Sequence, residues 1–420
     1  MRPTQASQRI VSMLKGASSA FLLVALSWPI LGLIGCGTIP RNPVPIEQIP
    51  KAEIPNLPGV RSFIGKRSPS FYKDFVQSIR DEPPDPPNPD GLRPYSALVL
   101  AGGGPQGAFG AGFLYGWTRA GTRPAFKVVT GISTGALIAS FAFVGSDYDE
   151  VLKTIFTSTS KKSIVRTRLR RDAVGDSRPL AALIAQYFDD DLIEAIAAEH
   201  ARGRRLYVGT AHMDAQRLMI WNMGAIARSG HPDAVEIFRK VILASASIPV
   251  MMPPVMFEVE VDGKRYDEMH MDGGAVNQLF FLGATVDLLR VDQAVGRPTG
   301  GDRVYVIQNG QSDPIPQQVP RNLRGILKRT LATLVKAHRV GDLNRIYTVA
   351  RLHDIDFSYV QIPSTYVSES SGLFDTSEIK RLFDLGMKLG ASEDPWRGKP
   401  PFYEELALPS YQSISSVLAP

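Results

Sequence analysis

Three short stretches hold residues whose types and spacing suit chemistry. The first is Gly131-Ile132-Ser133-Thr134-Gly135, a G-x-S-x-G string preceded by Lys127-Val128-Val129-Thr130 and followed by Ala136-Leu137-Ile138-Ala139. Valines before and an apolar helical run after predict a strand that turns sharply into a helix. A serine at such an apex exposes its hydroxyl, and small neighbours, Gly131 and Gly135, let the turn close. The helix that starts there aims free N–H groups and the positive end of its dipole at the serine. The second stretch is Ala101-Gly102-Gly103-Gly104-Pro105-Gln106-Gly107, which follows the strand-like Tyr95-Ser96-Ala97-Leu98-Val99-Leu100. The third is Asp272-Gly273-Gly274, after a hairpin-like run from Val255 to Lys264. The chemistry these suit is attack by a serine. Ser133 is the candidate nucleophile, Asp272 a candidate base whose Asp-Gly-Gly also reads as an ordinary turn, and the backbone N–H groups of Gly102, Gly103, Gly104 and Gly107 a candidate oxyanion hole.

Other readings of the glycine loop fit less well. Gly102-x-Gly104-x-x-Gly107 matches the dinucleotide fingerprint, which needs an acid about 20 residues on. No Asp or Glu lies between Gly91 and Ser146. No Gly-Lys-Ser/Thr ends the loop, so it is not a phosphate-binding P-loop either. No H-E-x-x-H or C-x-x-C spacing suggests a metal.

In this order, Gly102-Gly103-Gly104-x-x-Gly107, Gly131-x-Ser133-x-Gly135 and Asp272-Gly273-Gly274 resemble the patatin-like phospholipases. Ala244-Ser245-Ala246-Ser247-Ile248-Pro249 resembles that family's A-S/T-x-x-x-P segment. The resemblance spans about Tyr95 to Gly274 and continues weakly to a terminal helix from Ser377 to Gly390. It implies an α/β, three-layer α/β/α fold with a mostly parallel central sheet. It also implies a serine–aspartate dyad without histidine, and hydrolysis of acyl esters of lipids or phospholipids without metal or cofactor. One position departs: where the family often has Arg or Lys before the last glycine of the loop, this chain has Gln106, which offers only amide hydrogen bonds. A rival triad would use His270, His338 or His353. A rival of another class is a membrane-tethered scaffold on the same fold.

Around this centre the chain divides by composition. Residues 1–35 carry Arg2, Arg9 and Lys15, no acid, and an apolar run from Ala17 to Ile34, the layout of a secretory signal. Leu33-Ile34-Gly35-Cys36 resembles a bacterial lipobox, and Cys36 is the single cysteine. Lipidation at Cys36 is expected, with the mature protein anchored in the bacterial envelope, on the periplasmic face of the outer membrane. The rival is an uncleaved transmembrane anchor. Residues 36–94 are rich in proline and read as a stiff linker with one short helix beginning at Ser68-Pro69. Residues 95–395 are the hydrolase domain and 396–420 a tail. Of the net charge of +6, the three cations of the signal segment account for half. The +3 that remains gives no argument for nucleic acid. A basic run from Ser160 to Asp172 reads as a solvated face or as a patch for anionic head groups. Met251, Met252, Met256, Met269 and Met271 suit an adaptable acyl pocket or ordinary core.

Overall fold

The computed structural model describes residues 39–82, 94–158, 164, 166–296, 300–369 and 374–401. The strands are β1 (Arg61–Phe63), β2 (Ser96–Leu100), β3 (Val128–Ile132), β4 (Arg166–Thr167), β5 (Gly175–Asp176), β6 (Arg205–His212), β7 (Arg217–Asn222), β8 (Val255–Val261), β9 (Lys264–Asp272), β10 (Arg303–Gln308) and β11 (Asp356–Gln361). The helices are α1 (Pro69–Arg80), α2 (Gly107–Arg119), α3 (Thr134–Val144), α4 (Asp149–Ser158), α5 (Arg178–Tyr187), α6 (Asp190–Ala201), α7 (Met223–Arg228), α8 (Ala234–Ser245), α9 (Leu288–Val295), α10 (Leu323–Leu352) and α11 (Thr376–Gly390).

Nine strands form one sheet in the order β1-β7-β6-β3-β2-β10-β11, with the β8–β9 hairpin joined through β9 to β6. The five strands from β6 to β11 in that order run parallel, while the pairings β1–β7, β7–β6, β9–β6 and β8–β9 are antiparallel. Alternate residues of the central strands face opposite ways, as the period of two requires. Leu98 and Leu100 join one apolar core with α2 and α3, while Ala97 and Val99 join a second core with α1 and α10. Burial on both faces explains why β2, β3 and β6 read as continuous apolar runs. The result is the three-layer α/β/α arrangement expected.

The register of β6 positions the site. β3 pairs with β6 as far as Ile132 opposite Gly209. β9 then pairs with β6, with Asp272 opposite Thr210. The end of β3, which feeds Ser133, therefore meets the end of β9, which carries Asp272.

Two expected boundaries move. The proline-rich stretch after Thr38 is not a free tether where it is described. Val44, Ile49, Ile54, Leu57, Val60 and Phe63 are buried, Asn42 hydrogen-bonds β9, and β1 adds a strand beside β7. Prolines stiffen an extended chain whether it spans water or lies on a surface, and the apolar residues between them bury it here. Arg41 pairs with Asp214 at 2.7 Å and Asp267 at 2.9 Å. The helix starting at Pro69 is present, capped by Ser68 Oγ accepting from the Phe71 N–H at 3.4 Å. At the other end, Trp396 packs among Phe113, Trp117 and Tyr305. The packed domain thus continues past residue 395. The signal segment, Cys36 and most of the tail lie outside the described residues, as do Lys161 and Lys162. Among the described residues no helix is long and apolar enough to cross a membrane.

Candidate active site

Ser133 follows β3 directly and precedes α3, with φ 56° and ψ −129°. A non-glycine residue at positive φ is strained, and such strain persists only where the surroundings enforce it. Here the glycines on either side permit it. A Cβ on Gly131 would lie 2.4 Å from the Gly135 carbonyl oxygen, and one on Gly135 2.3 Å from that of Leu100. The turn closes only because both lack side chains. The Ser133 N–H donates to Ser245 Oγ at 2.9 Å, and Ser245 Oγ donates to the Gly209 carbonyl at 2.7 Å. The last turn of α8 therefore clamps the serine's backbone to β6.

Ser133 Oγ donates to Asp272 Oδ2 at 2.6 Å. The other carboxylate oxygen accepts from the Gly274 N–H at 2.8 Å, and the Asp272 N–H donates to the Ser247 carbonyl at 2.9 Å. Gly273 packs against the Gly209 backbone. Both side chains are nearly covered, at 6% exposure for Ser133 and 5% for Asp272. Burial pushes the Asp272 carboxyl up to about 6, against the opposing hydrogen bonds from Ser133 and Gly274. No cation contributes to that shift. A carboxylate with this affinity is a far better proton acceptor than one in water.

The glycine loop lies beside the serine. A Cβ on Gly102 would sit 3.1 Å from that of Ser133. Its four expected donors are not equivalent. The Gly102 N–H is spent on the Gln278 carbonyl at 3.3 Å, and the Gly107 N–H on the carbonyls of Gly104 and Pro105. The loop folds back on itself as a short 3-10 turn at Gly104–Gln106, which consumes the Gly107 donor, while the Gly102 donor is taken by the distant Gln278. Gly103 and Gly104 donate to no group among the described residues. Gly104, at φ +54°, has nothing within 4 Å where a side chain would stand. Thr134 Oγ1 donates to the Gly104 carbonyl at 3.0 Å and fixes its peptide.

Gly104, Pro105, Ser133 and Thr134 form the polar end of a cavity of about 640 Å³ open to solvent. Among the described residues the rest of its wall includes Leu137, Phe156, Leu183, Ile248, Met252 and Phe374, and no charged side chain. Of the five methionines clustered near Asp272 in sequence, Met252 alone lines this space. A second cavity lies by Ser96, Val128 and Arg303, at the opposite ends of β2, β3 and β10, and contains His353.

None of the three histidines takes up a triad position. His270 sits two residues before Asp272, but its Nδ1 faces Thr210 Oγ1 at 2.9 Å and its Nε2 lies 3.2 Å from Glu268 Oε2. Burial holds it down at about 4, so the ring is neutral. His338 is exposed on α10. Glu268 is itself bound by Arg61 through both carboxylate oxygens, at 2.5 and 3.2 Å. His212 Nε2 lies 3.4 Å from Glu268 Oε1. His212, Glu268 and His270 have ligand atoms close enough together to hold a metal. The guanidinium of Arg61 already supplies the cation there.

Several positioning residues escaped the sequence reading. Asn309 accepts from the Gly110 N–H at 3.0 Å and donates to the Ala101 carbonyl at 2.7 Å, bracketing the glycine loop. Asp342 on α10 accepts from the Gln278 N–H at 2.6 Å, and Gln278 holds Gly102. Neither residue lies in a recognisable motif.

Residues 98–285 match the family model for patatin-like phospholipase. With the layers and strand order above, the fold is the patatin fold, and the match supports lipid acyl hydrolysis as the general activity. No curated protein matches the chain. Among solved structures, the crystal structure of VipD from Legionella pneumophila is similar at 12% identity. The similarity covers 72% of this chain and 68% of VipD, with a TM-score of 0.37.

Proposed function

We propose that the protein is a serine acyl hydrolase in which Ser133 and Asp272 form a two-residue catalytic pair. The observation that carries this reading is the 2.6 Å hydrogen bond from Ser133, at the polar end of the cavity, to buried Asp272. Asp272 accepts the Ser133 hydroxyl proton as Oγ attacks the ester carbonyl carbon. The N–H groups of Gly103 and Gly104 receive the oxyanion of the tetrahedral intermediate. Asp272 returns the proton to the departing alcohol oxygen, leaving an acyl-serine. Asp272 then takes a proton from water, whose oxygen attacks the acyl carbon, and Ser133 leaves as the protonated alcohol. The apolar wall suits the acyl chain, and the described residues of that wall place no charge against a head group. Neutral lipid esters and phospholipids therefore both fit. Lipidation at Cys36 and a place on the envelope membrane belong to the same proposal, since an enzyme for lipid esters gains from being held at a lipid surface.

The test is hydrolysis of p-nitrophenyl esters over a range of acyl lengths, with Ser133→Ala and Asp272→Asn alongside. The reading expects turnover by the wild type and loss in both variants while they stay folded. Gln106 favours one second reading, a tethered scaffold without turnover, because it replaces a cation often found at that point of the loop. An inert wild type on every ester and on phospholipid vesicles would establish that alternative.

A further inference from the structure

The long helix α10 is built unlike the others. Its second half packs into the domain through Leu343, Ile346, Tyr347 and Ala350. Its first half does not. Leu323 is 83% exposed, and Ile326, Leu327, Leu331 and Leu334 are each more than half exposed. Their spacing of three and four places them along one face. An exposed, contiguous row of large apolar side chains marks an interaction surface rather than ordinary solvent-facing helix.

The charges decide what covers it. From residue 314 to residue 341 the chain carries Arg321, Arg324, Lys328, Arg329, Lys336 and Arg339, and no Asp or Glu. Arg324, Lys328 and Arg329 line a groove of about 890 Å³ between the helix and the Gln317–Pro320 segment. An apolar row flanked by cations alone matches a surface that is apolar inside and anionic at its boundary. That is the layout of an anionic lipid leaflet. A second copy of this face would bring the same cations against them, which like-charge repulsion opposes.

The helix is also aimed suitably. α10 connects β10 to the parallel strand β11, so it runs back against their direction. Asp342 meets Gln278 beside Gly102, at the strand ends that carry Ser133. The turns before Asp342 continue beyond that edge for about 28 Å at 1.5 Å per residue. Two bonds brace them: Lys336 Nζ to the Asp313 carbonyl, and Arg329 to the Ile315 carbonyl at 2.7 Å.

We infer that the first half of α10 is a membrane-docking element that lies in the head-group region of an anionic bilayer, on the edge of the domain that bears Ser133. The inference does not rest on the hydrolase reading, because it needs no turnover.

The test is sedimentation of the full chain with phosphatidylcholine vesicles, with and without a quarter of phosphatidylglycerol. Two variants are compared with the wild type: Leu327→Glu with Leu331→Glu, and Lys328→Glu with Arg329→Glu. An N-terminal anchor and the basic run at Ser160–Asp172 are the same in wild type and variants, so the change that a variant makes in phosphatidylglycerol-dependent binding reads α10. We expect the phosphatidylglycerol-dependent binding to fall about tenfold or more in each variant and to weaken with salt in the wild type. Turnover of a soluble p-nitrophenyl ester and the circular dichroism spectrum should stay unchanged. Turnover lost in every protein, with binding differences intact, would count against the hydrolase and not against docking. Vesicle binding indifferent to both variants would overturn the inference. So would a wild-type dimer, seen by light scattering, that Leu327→Glu with Leu331→Glu splits without altering vesicle binding; the face would then belong to a second copy.

Discussion

Strand β9 carries two buried carboxylates four residues apart, and they are treated in opposite ways. Glu268 meets a guanidinium through both oxygens and has two imidazoles within 3.4 Å. Burial alone would push its proton affinity up, but Arg61 and the two histidines hold it well below the usual carboxylate range. Asp272 is equally buried and has a serine hydroxyl and one backbone N–H instead of a cation. Its affinity rises to about 6. A buried charge that is neutralised on the spot is inert and serves the fold. A buried charge left without a counter-ion is costly to the fold and ready to take a proton. The one bonded to Ser133, which lines a cavity, is the one left uncompensated.

That contrast breaks most visibly at Asp272. Asp272→Asn should lower kcat by about 10⁴-fold and still raise stability at pH 7. A group whose folded affinity is raised stabilises the protein fully below its unfolded value, near 4. That contribution is lost as pH climbs through about 6. Above 6 the charged side chain therefore costs up to about 3 kcal/mol, which asparagine avoids. Urea denaturation at pH 7 checks this. A less stable variant would mean the carboxylate is better solvated than its burial implies.

Arg61→Met should do the reverse. It leaves buried Glu268, at 1% side-chain exposure, without its guanidinium and with two imidazoles as remaining partners, and should cost about 3–5 kcal/mol. Turnover per folded molecule should fall little. Replacing Glu268 as well, by Gln, should recover much of the loss, since no charge is then stranded; both are read from denaturation midpoints. Smaller still is Ser245→Ala. It frees the Ser133 N–H from its 2.9 Å partner and should destabilise by about 1–2 kcal/mol. Its kcat should fall with KM nearly unchanged, measured with a short soluble ester.

The site was legible in the sequence where its causes are local. Gly131, Ser133 and Gly135 announce a tight strand-to-helix turn because only small residues allow it. Asp272 stood out through the glycines after it. What was not legible depends on contacts distant in sequence. The Ala244-Ser245 segment showed by its resemblance, but not that Ser245 clamps Ser133 across 112 residues; Asn309 reaches Ala101, at the start of the glycine loop, across 208, and a single polar residue gives no periodic signal. The division of the loop's donors, with Gly107 spent within the loop and Gly102 on distant Gln278, depends on how the loop folds back and on what packs against it. The strap from residue 39 to 63 was misread because proline-rich chain has the same composition lying on a surface as spanning water. β1 is three residues long, too short to show alternation.

The central claim is that an uncompensated aspartate, with no histidine, activates Ser133. It is tested most directly by the pH dependence of Ser133 acylation, followed with a short p-nitrophenyl ester between pH 4 and 9, in the wild type and in His270→Gln. Below about 6 Asp272 holds a proton and cannot accept another, so the rate should fall tenfold per pH unit on the acid side. The limb should stay near 6 in both proteins. An acid limb near 4, where an ordinary aspartate titrates, or loss of acylation in folded His270→Gln, would contradict the account.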